Sequence, residues 1–75
     1  MGDDTVLDAR GLLCPLPVLR ARKAMRTLAS GDVLKLLATD PGAVRDVDAL
    51  CASAGHVLIG REEAGGEFVF RIRKA

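Results

Sequence analysis

Tryptophan and tyrosine are absent from this chain, and only Phe68 and Phe70 carry aromatic rings. A core built from it has to be aliphatic, and there is little on which unpaired nucleic-acid bases could stack. Histidine occurs once, as His56, and cysteine twice, as Cys14 and Cys51. Two thiols are too few for a disulfide scaffold, and a reducing compartment would keep both free. None of the paired-ligand spacings of zinc sites is present, so no metal and no other cofactor is expected. Charge of one sign is also missing: 11 basic against 10 acidic residues leave a formal charge of +1. That is too little for a protein built to coat nucleic acid or a membrane. No apolar run approaches the ~20 residues that cross a bilayer. The opening Met1-Gly2-Asp3-Asp4 is acidic rather than signal-like, and Val6 stands where a myristoylation signal wants serine or threonine. The expectation is a cytoplasmic protein.

The hydrophobic residues that are present, 49% of the 75, suffice for one small domain spanning residues 1–75, with no room for an enclosed active site. Thr5 to Ala9 forms a short apolar stretch that suits a first strand. Helix signals run from Cys14 to about Ala29 and stop at Ser30-Gly31. Asp32 to Thr39 is short and aliphatic, which predicts a buried strand. Asp40-Pro41 then supplies an N-cap and a proline at the first helical position. Val44, Val47, Cys51 and Ala54 recur at helical spacing, and Gly55 suits a left-handed C-cap. Two strand-like runs follow, from His56 and from Glu67, joined by the hairpin step Gly65-Gly66. In the last run Phe68, Phe70 and Ile72 alternate with Val69, Arg71 and Arg73, so one face is buried and the other mostly wet. The order β-α-β-α-β-β predicts a two-layer α/β sandwich: a four-stranded mixed sheet with both helices on one face.

The chemistry concentrates in "GLLCPLPVLRARKAM", residues 11–25. With Cys14 as N-cap, Pro15 fits the first helical position, and Pro17 removes a second N–H while restraining Leu16. The amides left free, chiefly those of Leu16 and Val18, point to the sulfur as their anionic partner. A helix N-terminus stabilises a thiolate, so the pKa of Cys14 is expected to fall. Along the helix Val18, Ala21, Met25 and Leu28 form the core stripe. Arg20, Arg22, Lys23 and Arg26 spread over the opposite side with Leu16 and Leu19 among them. That mixture predicts a docking surface for an acidic partner, and the positive charge would also favour the thiolate. Cys51 lies on the apolar stripe of the second helix and reads as core rather than as a resolving thiol. His56, just past Gly55, reads as a capping or surface residue.

A lone activated cysteine without a histidine base is poorly equipped for acyl transfer, and dithiol redox work wants a second thiol nearby. Transfer between sulfurs remains, with Cys14 receiving a sulfur atom as a persulfide and presenting it to another protein. The stretch "LDARGLLCPLPVLRARKAM" resembles the signature of the TusA/SirA-like sulfur-carrier family, centred on Gly-Leu-X-Cys-Pro-X-Pro. Gly11, Leu12, Cys14, Pro15 and Pro17 match it, and Asp8 stands at its upstream acidic position. The likeness continues through Asp40-Pro41, Arg45-Asp46, Cys51 and Gly55-His56. It implies the same β-α-β-α-β-β sandwich and Cys14 as the sulfur acceptor, with Gly11, Leu12, Pro15 and Pro17 shaping its helix N-terminus. It further implies a cysteine desulfurase or rhodanese as donor and a DsrE-like or other acceptor protein. The pathways served would be tRNA 2-thiouridine formation, molybdenum-cofactor assembly or sulfur oxidation. Leu16 departs from the polar residue frequent between the family's two prolines. Such a chain acts as a relay rather than as a multiple-turnover enzyme on a small molecule. No direct contact with nucleic acid or membrane is expected, and no large self-complementary patch suggests more than a monomer. Two other readings compete: an RNA- or protein-binding module using the basic helix with Cys14 structural, and a thiol that handles peroxide or selenium.

Overall fold

Alternation of apolar and polar residues sets the strands, and glycine or proline punctuates their ends. The computed structural model describes residues 4–75, so the acidic Met1-Gly2-Asp3 opening lies outside them. Its elements are β1 (Thr5–Ala9), α1 (Leu16–Met25), β2 (Val33–Ala38), α2 (Gly42–Ala54), β3 (Val57–Ala64) and β4 (Glu67–Arg73). The strands lie in the order β1-β2-β4-β3. β1 runs parallel to β2, from Thr5 opposite Leu34 to Ala9 opposite Ala38. β4 is antiparallel to both β2 and β3, which makes the sheet mixed.

Every second residue of the two central strands faces the helices. Leu34, Leu36 and Ala38 of β2 and Phe68, Phe70 and Ile72 of β4 are buried, and they pair across the strands as Leu34–Ile72, Leu36–Phe70 and Ala38–Phe68. α1 covers them with Val18, Ala21 and Met25, and α2 with Ala43, Val47, Leu50 and Cys51. Each fully buried aliphatic or phenyl side chain contributes about 1.5–3 kcal/mol, so these two strands carry most of the core's driving force. On the other face Lys35, Leu37 and Val69 are half-buried and Val6 and Val57 exposed. The expected architecture, with both helices on one face, is the observed one.

Three local expectations need correction. α1 begins at Leu16, not Cys14: Pro15 precedes the helix with φ −100° and ψ 18°, and the Leu16 N–H donates to Leu13 O at 2.9 Å. Pro15 therefore takes the place foreseen for Cys14. The helix also ends at Met25, because Arg26, Thr27 and Leu28 donate to carbonyls three residues back, tightening the last turn. In α2 the buried stripe is Ala43, Val47, Leu50 and Cys51, while Val44 is half-buried and Ala54 exposed. Val47 and Cys51 keep their place on the stripe, while Ala43 and Leu50 replace Val44 and Ala54, so the buried face is turned by roughly 35° from the spacing read in the sequence.

The turn chemistry held. Gly55 adopts φ +76° and donates its N–H to Cys51 O, ending α2 in a left-handed cap. Gly65 and Gly66 both have positive φ, +58° and +81°, between the paired Ala64 and Glu67. Two such residues match the right-handed twist of the strands they join.

Candidate functional site

Because β1 and β2 are parallel, the chain leaves both at the same edge of the sheet, where loops in open α/β folds commonly build sites. The loop after β1 carries Gly11 to Pro15, and the loop after β2 carries Thr39 to Pro41. They are tied together by backbone N–H groups of the first and side chains of the second. Gly11, at φ +82°, donates to Thr39 Oγ1 at 2.9 Å. The Cys14 N–H donates to Asp40 Oδ2. Leu12 anchors the loop through its N–H to Ala9 O at 3.2 Å and packs partly against the core. Gly11 and Leu12 thus shape this crossover and not a helix N-terminus. Pro15 and Pro17 do stand at the start of α1, with Pro17 buried and Pro15 exposed.

Cys14 is exposed, and its peptide bond to Pro15 is cis. Its side chain rests against the opening of α2 rather than that of α1. A Cβ built on Gly42 would stand 3.1 Å from Cys14 Cβ and 3.4 Å from Sγ, so the absence of a side chain there makes room for the thiol. Asp46 lies four residues beyond Gly42, on the same helix face, and accepts a hydrogen bond from the Cys14 thiol. Asp40 reaches both ways, since its Oδ1 also accepts from Gly42 N–H at 3.1 Å. An open cleft of about 630 Å³ spreads from the sulfur over α2, lined by Cys14, Pro41, Gly42, Val44, Arg45, Asp46 and Asp48.

These neighbours reverse the electrostatics expected of the thiol. The hydrogen bond to Asp46, then desolvation, then the charges of Asp46 and Asp40 push the Cys14 pKa up. The amides foreseen as its partners are engaged or elsewhere: the Leu16 N–H is held by Leu13 O. Asp40 moves the other way, its carboxyl held below the usual range by the N–H groups of Cys14 and then Gly42. In this arrangement the thiol is the donor and the Asp46 carboxylate the acceptor.

Arg20, Arg22, Lys23 and Arg26 are all exposed on α1 and make no ion pair among the described residues. They do not line the cleft beside Cys14. Leu16 and Leu19 are 45% and 51% exposed, and Leu13, beside the cysteine, 73%. An apolar rim therefore does adjoin the thiol, with the basic charges farther along the helix. Asp8 is engaged by Arg10, which clasps both carboxylate oxygens and brings its pKa down to about 2. Cys51 is buried in the core, and burial, then the charge of Asp48, raises its pKa. His56 accepts a hydrogen bond at Nδ1 from the Ala75 N–H at 3.1 Å, a structural contact.

Sequence reasoning missed Asp46 as a neighbour of the sulfur and gave Asp40 only a capping role. The signal was present in part, since Gly42 and Asp46 share a helix face, but nothing local linked that face to Cys14.

An exposed thiol at the carboxyl edge of a helix-backed mixed sheet, beside two helix openings, defines a small α/β protein with a single exposed sulfur at its loop edge. The family described as Sulfurtransferase TusA matches residues 5–74, and the chain belongs to it. It is 50% identical over 72 residues to a sulfur carrier protein TusA of Allochromatium vinosum, covering 96% of this chain and 95% of that one. Identity to a sulfur carrier protein TusA of Pseudomonas entomophila is 48% over 71 residues, covering 95% and 89%. The crystal structure of a SirA-like protein from Desulfitobacterium hafniense superposes with a TM-score of 0.81 at 27% identity, covering 92% of this chain and 95% of that one. Among the described residues no helix is long and apolar enough to cross a membrane.

Proposed function

We propose that this protein is a sulfur carrier that accepts sulfane sulfur on Cys14 as a persulfide and relays it to an acceptor protein. The observation that carries the reading is the exposed Cys14 of a Gly-Leu-X-Cys-Pro-X-Pro motif in a chain of the TusA family, whose relatives are named sulfur carriers. A carrier needs a nucleophile within reach of two different proteins, on a mounting that does not yield. The exposure of Cys14 supports the first requirement. The ties from Gly11 to Thr39 and from Cys14 to Asp40 support the second. Leu13, Leu16 and Leu19 offer an apolar rim for docking, with Arg20, Arg22, Lys23 and Arg26 as basic surroundings that suit an acidic partner surface.

The donor in this reading is a cysteine desulfurase or a rhodanese, and the acceptor a DsrE-like or other sulfur-accepting protein. The raised pKa of Cys14 shifts the burden of activation onto the encounter: the thiol has to lose its proton as the donor's persulfide approaches. Incubation with a desulfurase and cysteine, followed by intact mass measurement, tests the assignment. One added sulfur is expected on the wild type and on Cys51→Ser, and none on Cys14→Ser. Sulfur retained by the Cys14 variant would overturn it.

A further inference from the structure

A carboxylate placed on a nucleophilic thiol disfavours the anion that attacks, so the contact between Cys14 and Asp46 calls for a reason in a carrier. Both residues border the same cleft. Asp40 is bonded to the Cys14 backbone, Asp48 lines the cleft farther along α2, and Arg45 is its one cation among the described residues. Building on the sulfur-carrier reading, we infer that Asp46 distinguishes the empty carrier from the loaded one, holding the thiol as a hydrogen-bond donor and rejecting the persulfide anion so that sulfur is biased towards transfer.

The chemistry balances without an oxidant or reductant. Sγ of Cys14 attacks the outer sulfur of the donor persulfide, R–S–S⁻. The donor's S–S bond breaks as the new one forms on Cys14. The thiol proton passes to Asp46 and from there to the departing donor sulfur, giving R–SH and Cys14–S–S⁻. One proton and one negative charge stand on each side. A persulfide is more acidic than its parent thiol, so the loaded side chain has no proton to offer Asp46. The hydrogen bond of the empty state then becomes a repulsion between two anions, to which Asp40 and Asp48 add and which Arg45 opposes. Gly42 places no side chain over the sulfur, which leaves the outer sulfur free to turn out of the cleft. Unloading onto an acceptor relieves the repulsion and restores the hydrogen bond.

The test equilibrates wild type, Asp46→Asn and Asp48→Asn with fixed ratios of glutathione persulfide to glutathione and reads the loaded fraction by intact mass. Asp46→Asn is expected to move the loading equilibrium about five- to tenfold towards the persulfide, and Asp48→Asn, which does not touch the sulfur, less than about twofold. The pH profile of iodoacetamide alkylation of the empty thiol should move to lower pH in Asp46→Asn. Asp46→Ala should reproduce both shifts, which separates loss of the charge from any new contact of the amide. Equal loading equilibria in wild type and both Asp46 variants overturn the inference while leaving the carrier reading intact. A wild type that takes no sulfur from either glutathione persulfide or a desulfurase overturns both.

Discussion

The two cysteines of this protein share a side chain and little else. Cys14 stands exposed on a loop between two helix openings, and Cys51 is buried in the core from the last turn of α2. Both thiols have their pKa raised, for different reasons. At Cys14 the first cause is the hydrogen bond to Asp46, whereas at Cys51 it is burial. A buried thiol is silenced by its surroundings as a whole, and nothing short of unfolding changes that. A thiol held by one carboxylate can be released by whatever displaces or protonates that carboxylate, including an approaching partner. The difference is between an inert sulfur and a conditional one.

The largest effect expected from breaking this comparison is on sulfur loading: Cys14→Ser should lose it entirely and Cys51→Ser should keep it, by intact mass after incubation with a desulfurase. Stability should divide the other way. A hydroxyl at position 51 has no partner in an apolar core, so Cys51→Ser is expected to cost about 1–3 kcal/mol in denaturant unfolding. Cys14→Ser, at an exposed position, should stay within about 0.5 kcal/mol. The pH dependence sharpens the contrast further. In the native protein only Cys14 should be alkylated, with a rate that climbs above the pH at which an ordinary thiol reacts. Linkage gives the matching sign. The raised folded-state pKa contributes stability that is complete below the unfolded thiol's pKa and is lost as pH rises through the folded value. Thermal unfolding of the wild type should therefore lose ground to that of Cys14→Ser in alkaline buffer. The smallest effect is at Gly42, where a Cβ would come within 3.1 Å of Cys14 Cβ. Gly42→Ala should push the thiol away from Asp46 and move the alkylation profile modestly to lower pH, with the fold retained.

Much of the architecture was legible because its determinants are local. Phe68, Phe70 and Ile72 alternate, Gly65-Gly66 makes the hairpin, and Gly55 caps α2. Helix boundaries were read less well: tertiary ties and Pro15 moved the start of α1, and a tightened turn ended it at Met25. The candidate site was half legible. Its motif named Cys14, Pro15 and Pro17, and Leu16 and Leu19 proved exposed. The electrostatics were assigned to the wrong helix because the basic residues of α1 are the near neighbours in the chain, while Asp40 and Asp46 stand 26 and 32 residues away.

By itself, then, the amino-acid order determined the elements, their sequence along the chain and the thiol on which the proposed chemistry turns, since each depends on side chains within a few positions of one another. Only the tertiary structure decided what that thiol faces. The parallel pairing of β1 with β2 delivers two loops to one edge of the sheet, and the opening of α2, with Gly42 leaving room and Asp46 accepting the thiol's hydrogen bond, lies against the sulfur. Charge acts through space, and proximity in space is set by how the strands pair.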